Sequence, residues 1–137
     1  MGALAVYFPY LGSVPSSDFH LGQQTQQGLT LDGLEKLKQA GFTSSEISDV
    51  IIPARTLKHR RAKQQRLSPE ESERLLRVVR VLAFADRVFG EHEKAMRWLR
   101  RPSSRLEDTS PLSNLRTEAG TRFVEGMLWS ISENLYQ

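Results

Sequence analysis

From residue 29 onward, apolar side chains recur every three or four positions, which is the spacing of amphipathic helices. The pattern is strongest over residues 69–89, where Ser68 can cap a helix and Glu71 completes a capping box. At about 100° per residue the apolar side chains form one broad stripe, which predicts the central helix of a bundle, ending at Gly90. The stripe comprises Leu75, Val78, Val79, Leu82, Ala85 and Phe89, and Val81 and Val88 widen it.

Shorter helices are predicted on both sides of this segment. One occupies residues 29–41 and ends at Gly41, and Thr43 with Glu46 forms a second capping box that starts another helix. A short helix follows the central one, and a final helix runs from about Thr117 to the C-terminus. No strand pattern of any length occurs, so the predicted fold class is all-α. The residues predicted to be buried in these helices are Leu31, Leu34, Leu37, Ile47, Val50, Ile51, Ala95, Met96, Leu99, Val124, Met127, Leu128, Ile131 and Leu135.

We expect two helical units behind an N-terminal arm. Residues 1–28 mix Gly, Pro, Ser and Gln with scattered aromatic residues and show no steady period. We therefore predict an extended or partly ordered arm, whose aromatic rings pack onto the body of the protein or onto a second copy. Residues 29–66 form the predicted N-terminal unit and residues 67–137 the C-terminal unit, with a soft boundary near residue 66.

Composition narrows the function classes. The 137-residue chain carries a net charge of +3 and has no cysteine, which excludes disulfides and thiolate metal sites. No apolar run is long enough to span a membrane, and residues 1–28 contain no Lys or Arg to begin a signal peptide. His20, His59 and His92 lack the spacing of metal ligands, and no catalytic arrangement or phosphate-binding loop is found. We therefore expect a cytoplasmic protein that is not an enzyme and uses no metal or cofactor.

A basic stretch, ARTLKHRRAKQQR, occupies residues 54–66 and contains six Lys or Arg residues but no carboxylate. A local block of this kind favours a polyanion site over a uniformly charged surface. A short capped helix over residues 43–51 and a turn at Pro53 precede it, and two short helices joined by a tight turn are the outline of a helix-turn-helix. The chain is therefore predicted to have an N-terminal helix-turn-helix unit followed by a small C-terminal helical bundle.

Helical phasing gives the basic helix, over about residues 54–64, an inner and an outer side. Leu57 points into the domain, Arg60 and Arg61 flank it and reach back toward phosphates, and the other polar residues face outward. One short recognition helix reads few bases, so we expect a dimer on an inverted repeat. The alternative is a solvated amphipathic helix that Leu57 anchors. The residues predicted to bind DNA are Ser44, Ser45, Arg55, Thr56, Lys58, His59, Arg60, Arg61 and Lys63.

The final helix carries a second signal on its polar side. Trp129 and Tyr136 are seven residues apart, opposite the apolar stripe, and exposed aromatic residues flanked by charge are typical of interfaces. The alternative is that Trp129 packs against the preceding short helix or the N-terminal arm. Asp86 lies on the apolar side of the central helix and needs a donor such as Arg, so we predict a structural salt bridge there.

Taken in order, several segments over about residues 29–131 resemble the Xre/MbcA/ParS-like antitoxins. This family combines an Xre-type helix-turn-helix with a C-terminal toxin-binding domain. The chain departs from the family at its end, SISENLYQ, where a Gly-containing ending is expected. The matching segments are Arg55-Thr56-Leu57 with Arg60-Arg61, Leu67-Ser68-Pro69-Glu70-Glu71-Ser72 with Arg74-Leu75, Ala85 with Val88-Phe89-Gly90, Ala95 with Trp98-Leu99, Ser110-Pro111-Leu112, and Thr117-Glu118-Ala119-Gly120.

The resemblance implies the antitoxin of a type II toxin–antitoxin pair. Its partner would be a RES-domain toxin, which acts on NAD. Residues 67–137 would occlude the toxin's active site, and residues 29–66 would bind operator DNA and repress the operon, with a homodimer inside a larger complex. The residues assigned to toxin binding are Arg122, Glu125, Trp129, Glu133, Leu135, Tyr136 and Gln137. Two alternatives stay open: a free-standing dimeric helix-turn-helix transcriptional regulator, and a structural protein whose basic helix binds nothing.

Overall fold

The computed structural model describes residues 8–11 and 15–135, apart from the side chains of residues 8 and 9. These ranges contain an isolated bridge between Ser103 and Thr109 but no strand, so the all-α prediction is confirmed. Two 3-10 turns, at Ser104–Leu106 and Leu112–Arg116, join the last two helices. The helices are α1 (Phe8–Leu11), α2 (Asp18–Gln27), α3 (Asp32–Gln39), α4 (Ser44–Val50), α5 (Ala54–Ala62), α6 (Pro69–Phe89), α7 (His92–Arg100) and α8 (Glu118–Leu135).

The central helix α6 forms as its sequence predicts. The Ser68 hydroxyl accepts a hydrogen bond from the backbone N–H of Glu71 at 3.1 Å, and the Glu71 carboxylate accepts one from the N–H of Ser68 at 2.7 Å. Together they satisfy backbone donors that the first helical turn leaves unpaired. The helix ends at Gly90, whose φ of 74° is the left-handed conformation that glycine adopts without strain. Its fully buried stripe comprises Leu75, Val78, Val79, Val81, Leu82 and Ala85.

One hydrophobic core surrounds α6 and takes side chains from both halves of the chain. Helices α2, α7 and α8 and the 3-10 turn at Leu112–Arg116 all pack against it. The segment from α3 to α5 is tied to the same helix, since the Arg74 guanidinium donates to the Ile51 carbonyl at 2.8 Å. Residue 66 therefore separates two segments that share a core. Members from outside α6 include Leu34, Leu37, Ile47, Leu57, Leu99, Leu115, Val124 and Leu128.

The N-terminal region contains two helices, α1 and α2, that the sequence pattern did not predict. Within the expected arm of residues 1–28, α2 is capped by Ser17, whose hydroxyl accepts from the N–H of His20 at 3.1 Å. Thr25 is its one buried residue, so no apolar period reveals the helix. Of the aromatic residues, Tyr10 packs onto the core as expected, whereas Phe19 on α2 is 70% exposed. The rest of the predicted arm, residues 1–7 and 12–14, lies outside the described residues.

Asp86 on α6 holds three elements together. Its carboxylate accepts from the Tyr10 hydroxyl at 2.6 Å and from Nδ1 of His92 at 2.8 Å. The predicted structural ion pair exists, but its donors are a tyrosine and a histidine rather than an arginine. Nε2 of His92 meets the Ala40 carbonyl at 2.5 Å, which links the start of α7 to the end of α3. Partial burial opposes protonation, but the hydrogen bonds to Ala40 and Asp86 outweigh it and raise the pKa of His92 above its usual value.

A pH dependence of stability follows from the raised pKa of His92. The His92–Asp86 pair makes its full contribution to the free energy of unfolding below the unfolded-state pKa of His92, about 6.5. That contribution is lost as the pH rises through the higher folded-state pKa. We expect His92→Gln to lower the urea midpoint at acidic pH and to have less effect at alkaline pH. Urea unfolding between about pH 5 and 9 measures this difference. His59→Gln, on an exposed position of α5, is the control; a difference from wild type that does not change with pH would contradict the assignment.

Two glycines of α8 stand in opposite environments. A Cβ atom at Gly120 would lie 2.1 Å from the carbonyl oxygen of Asn114, so the helix start approaches the 3-10 turn as only glycine allows. The N–H of Gly120 also donates to the Thr117 hydroxyl at 3.0 Å, which caps the helix. At Gly126 a Cβ would meet nothing within 4 Å. The first glycine is required by packing, and the second only weakens the helix.

Alanine substitutions at these two glycines should therefore change stability in opposite directions. Gly126→Ala removes the low helix propensity of glycine and should raise the free energy of unfolding by about 0.5–1 kcal/mol. Gly120→Ala forces the backbone apart and should lower it by about 2 kcal/mol. Denaturant midpoints of the two variants measure both changes. Equal shifts of the same sign would show that α8 does not sit against the turn in this way.

Candidate functional site

Helices α4 and α5 form the helix-turn-helix that the basic stretch predicts. Thr43 and Glu46 cap α4 reciprocally, with N–H to side-chain distances of 3.1 and 2.9 Å. After α4 the chain turns through Ile52, which is fully buried, and the N–H of Ala54 donates to the Ser48 hydroxyl at 3.2 Å as α5 begins. Both ends of the turn are therefore held, so α5 has a defined orientation relative to α4.

Helix α5 presents its basic residues to solvent. Leu57 is its one buried residue, as its phasing predicts. Thr56 is half-buried, and Ser44 and Ser45 are exposed at the start of α4, where unpaired backbone N–H groups favour phosphate. The outward residues form a surface that we call the basic face of α5. It comprises Arg55, Lys58, His59 and Lys63, all exposed.

Arg60 and Arg61 differ from their predicted role, because both guanidinium groups bind carboxylates of the protein. Arg60 donates from Nε and Nη2 to the two oxygens of Glu71, at 3.1 and 3.2 Å. Burial of Glu71 opposes its ionisation, but the hydrogen bonds from Arg60 and Ser68 outweigh this and lower the pKa of Glu71. Arg61 pairs with Glu35 of α3 at 2.6 Å, with both side chains largely exposed. Arg60 thus joins α5 to α6, whereas the solvent-exposed Arg61 pair is weak enough to exchange.

Helix α8 carries several exposed apolar side chains. Among the described residues, three of the four large hydrophobic side chains that remain exposed lie on this helix: Phe123 (48%), Trp129 (60%) and Leu135 (58%). The Trp129 ring packs edge-on against Phe84 of α6, with 4.9 Å between the ring centroids. Above the Phe123 ring lies the Arg105 guanidinium, 5.8 Å from its centroid. Spacings of six residues place these three side chains on different sides of the helix, so we call the exposed surface at Trp129 alone the aromatic face of α8.

The other predicted partner-binding residues of the last helix have different environments. Glu125 binds the Arg80 guanidinium of α6 through both oxygens, at 3.0 and 3.2 Å, so it joins two helices. Arg122 and Glu133 are exposed as predicted. The burial predicted for Leu135 is wrong, since the last turn of α8 leaves it exposed while Ile131, one turn earlier, is half-buried. Tyr136 and Gln137 lie outside the described residues.

Sequence reasoning missed Phe123. The sequence does contain a signal that Phe123 faces outward. Phe123 and Ser130 are seven residues apart and therefore share one side of the helix, and the polar Ser130 marks that side as lying outside the apolar stripe. The next residue, Val124, belongs to the stripe and is fully buried.

Comparison with known proteins finds two adjacent domain matches, one containing α5 and the other containing most of α8. Residues 20–80 match the family described as antitoxin Xre-like helix-turn-helix domain. Residues 84–133 match the antitoxin Xre/MbcA/ParS C-terminal toxin-binding domain. The chain belongs to the Xre antitoxin family. The helix-turn-helix match begins in α2 and extends into α6, and the toxin-binding match contains Phe123 and Trp129.

Curated relatives agree with the family assignment. The chain is 41% identical over 118 residues to the antitoxin Xre of Pseudomonas putida, covering 86% of this chain and 74% of that protein. It is 38% identical over 86 residues to the antitoxin Xre of Yersinia enterocolitica, covering 62% of this chain and 58% of that protein. Membership in an antitoxin family supports a regulatory, non-enzymatic role for this Xre-family chain.

In residues 8–11 and 15–135, no group of three or more His, Asp or Glu side chains is placed to hold a metal ion. No helix within the same ranges has the length and apolar character needed to cross a bilayer.

The Arg60–Glu71 pair leads to a prediction about stability. Arg60→Ala leaves the Glu71 carboxylate, in a residue only 5% exposed, without its charged partner and should cost about 2 kcal/mol. Lys58→Ala, two residues earlier on the basic face of α5, should change the free energy of unfolding by less than about 0.5 kcal/mol. Urea midpoints of the two variants measure the difference. If the two variants unfold alike, Arg60 is not a structural residue.

Proposed function

We propose that this chain is the antitoxin of a type II toxin–antitoxin pair that neutralises a RES-domain toxin and represses its own operon. The observation that carries the proposal is the position of the aromatic face of α8. It lies on the helix that ends the matched toxin-binding domain, whereas the basic face of α5 lies in the matched helix-turn-helix domain. The resemblance over residues 29–131 supports a RES-domain partner.

Toxin binding is proposed to bury the aromatic face of α8. Trp129 is 60% exposed, and its ring is held against Phe84, so little side-chain entropy is lost when a partner covers it. Buried Trp residues are common energetic centres of protein interfaces. Arg122 and Glu133 would contribute to a polar rim, and Tyr136 and Gln137 are also proposed as toxin-binding residues. Glu125 would act indirectly, by holding α8 to α6 through Arg80.

Operator binding is proposed for the basic face of α5 and the start of α4. Arg55 in the first turn of α5 is placed to reach base edges, and an Arg that bonds guanine in two places contributes about 1–3 kcal/mol of discrimination. Lys58 and Lys63 would contact phosphates, as would the N–H groups near Ser44 and Ser45. A homodimer on an inverted repeat would double the short contact that one copy makes.

The second candidate function is a free-standing helix-turn-helix regulator whose C-terminal bundle only dimerises. One observation favours it: the aromatic face of α8 would also suit a second copy of this chain. The two functions differ in their partner. A toxin encoded beside this chain supports the first, and dimerisation that depends on Trp129 without any toxin supports the second.

The proposed function predicts that its two activities can be separated by mutation. Trp129→Ala should weaken binding to the neighbouring RES-domain protein by about 2 kcal/mol, or about thirty-fold, and release its toxicity in co-expressing cells. The same variant should bind upstream DNA like the wild type. Lys58→Ala should keep neutralisation but reduce the slope of log affinity against log salt by about 0.9 for each bound copy. Growth assays and fluorescence anisotropy provide the two measurements.

Phe19→Ala is the matched control for the toxin test. It also removes an exposed aromatic ring, but from α2 and outside the matched toxin-binding domain, so neutralisation should be unchanged. Neutralisation that survives Trp129→Ala and also deletion of residues 133–137 would contradict the proposed toxin surface. Binding to upstream DNA that does not depend on salt would contradict the operator surface.

A further inference from the structure

A second group of arginines lies on α7, outside the basic face of α5. The last turn of α7 and the residue after it carry Arg97, Arg100 and Arg101, all exposed. Cations at a helix C-terminus interact favourably with its dipole, which explains why basic residues occur at this end. The helix dipole does not account for Arg97 and Arg101, which form no ion pair with any carboxylate in the part of the chain that the structure describes.

The three arginines differ in how they are bound. Arg100 donates to both oxygens of Glu46 on α4, at 2.7 and 2.8 Å, and to the Gly41 carbonyl at 2.6 Å. Within the described part of the chain, Arg97 and Arg101 make no salt bridge. They line an open groove of about 220 Å³ with Lys94, over the rings of Phe89 and Trp98, and no carboxylate lines this groove. Lys94 pairs with Glu91 at 3.5 Å, so Arg97 and Arg101 are the two cations of this groove that have no charged partner among the described residues.

Arg100 connects α7, which carries this groove, to the helix-turn-helix. Glu46 is in the first turn of α4, and Gly41 is in the loop before it. Arg97 lines a second cleft together with Gly41 and Arg100, and Glu93 also lines this cleft. Arg97 therefore lies near the loop that precedes α4. In helix-turn-helix complexes the first helix of the motif crosses the sugar-phosphate backbone.

We propose that α7 is an additional DNA-backbone contact, with Arg97 and Arg101 binding phosphates beside the segment that α5 reads. This proposal rests on the operator-binding half of the proposed function. It assigns part of the DNA surface to the matched toxin-binding domain, since α7 lies within residues 84–133. Contacts of this kind carry no sequence information but add affinity and lengthen the protected site.

The test compares the full chain with the double variant Arg97→Ala/Arg101→Ala on a labelled duplex taken from directly upstream of the reading frame. Each lost phosphate contact lowers the slope of log affinity against log salt by about 0.9, so the slope should fall by about 1.8 for each copy of the chain that is bound. Hydroxyl-radical footprints should become shorter at their outer edges, and protection of the centre should remain. The variant Arg97→Lys/Arg101→Lys keeps both charges and should retain most of the slope.

Arg87→Ala is the matched control, because it removes an exposed cation from α6 that lies over Phe84, on the side facing α8. Its salt slope and footprint should equal those of the wild type. Thermal unfolding of all variants checks that the exposed substitutions leave the fold intact.

The other outcomes overturn the proposal in distinguishable ways. If the wild type binds DNA with a steep salt dependence and the double variant keeps both slope and footprint, α7 does not contact DNA while the operator proposal stands. If that variant instead loses neutralisation, the groove binds an acidic protein segment. If the wild type itself binds DNA without salt dependence, operator binding and the α7 contact fail together.

Discussion

Glu71 is a nearly buried carboxylate on which two parts of the structure depend. One of its oxygens accepts from the N–H of Ser68 and closes the first turn of α6, and both oxygens bind the Arg60 guanidinium. A buried carboxylate that lost these donors would be costly, so the three residues keep α5 at a defined angle to the central helix. The orientation of the basic face of α5, and therefore any use of it on DNA, follows from this junction.

The two candidate surfaces share a rigid connection. Helix α4 is tied to α7 by Arg100 and Glu46 and to the turn before α8 by an ion pair between Arg116 and Asp49. α8 is in turn tied to α6 through Arg80 and Glu125. A partner bound at the aromatic face of α8 therefore contacts a helix that is packed, through a single core, onto the helix-turn-helix.

Much of the fold could be predicted from local signals. The capping boxes at Thr43 and Ser68 located the starts of α4 and α6, because side-chain caps are local interactions. The failures have a common cause in long-range contacts. α2 buries one side chain and has no apolar period, so its packing on α6 could not be seen, and the donors of Asp86 lie 76 and 6 residues away along the chain.

The sequence by itself determined the all-α class, the inward position of Leu57 and the exposure of Trp129, since helical periodicity decides which side of a helix is apolar. It also carried the family resemblance that the matches to both domains confirm. Only the tertiary structure decided that Arg60 binds Glu71 rather than solvent, and that Arg97 lines a cleft with Gly41, just before α4. The order of charged residues along the chain does not reveal which cations are neutralised, because ion pairs form between residues that the fold brings together.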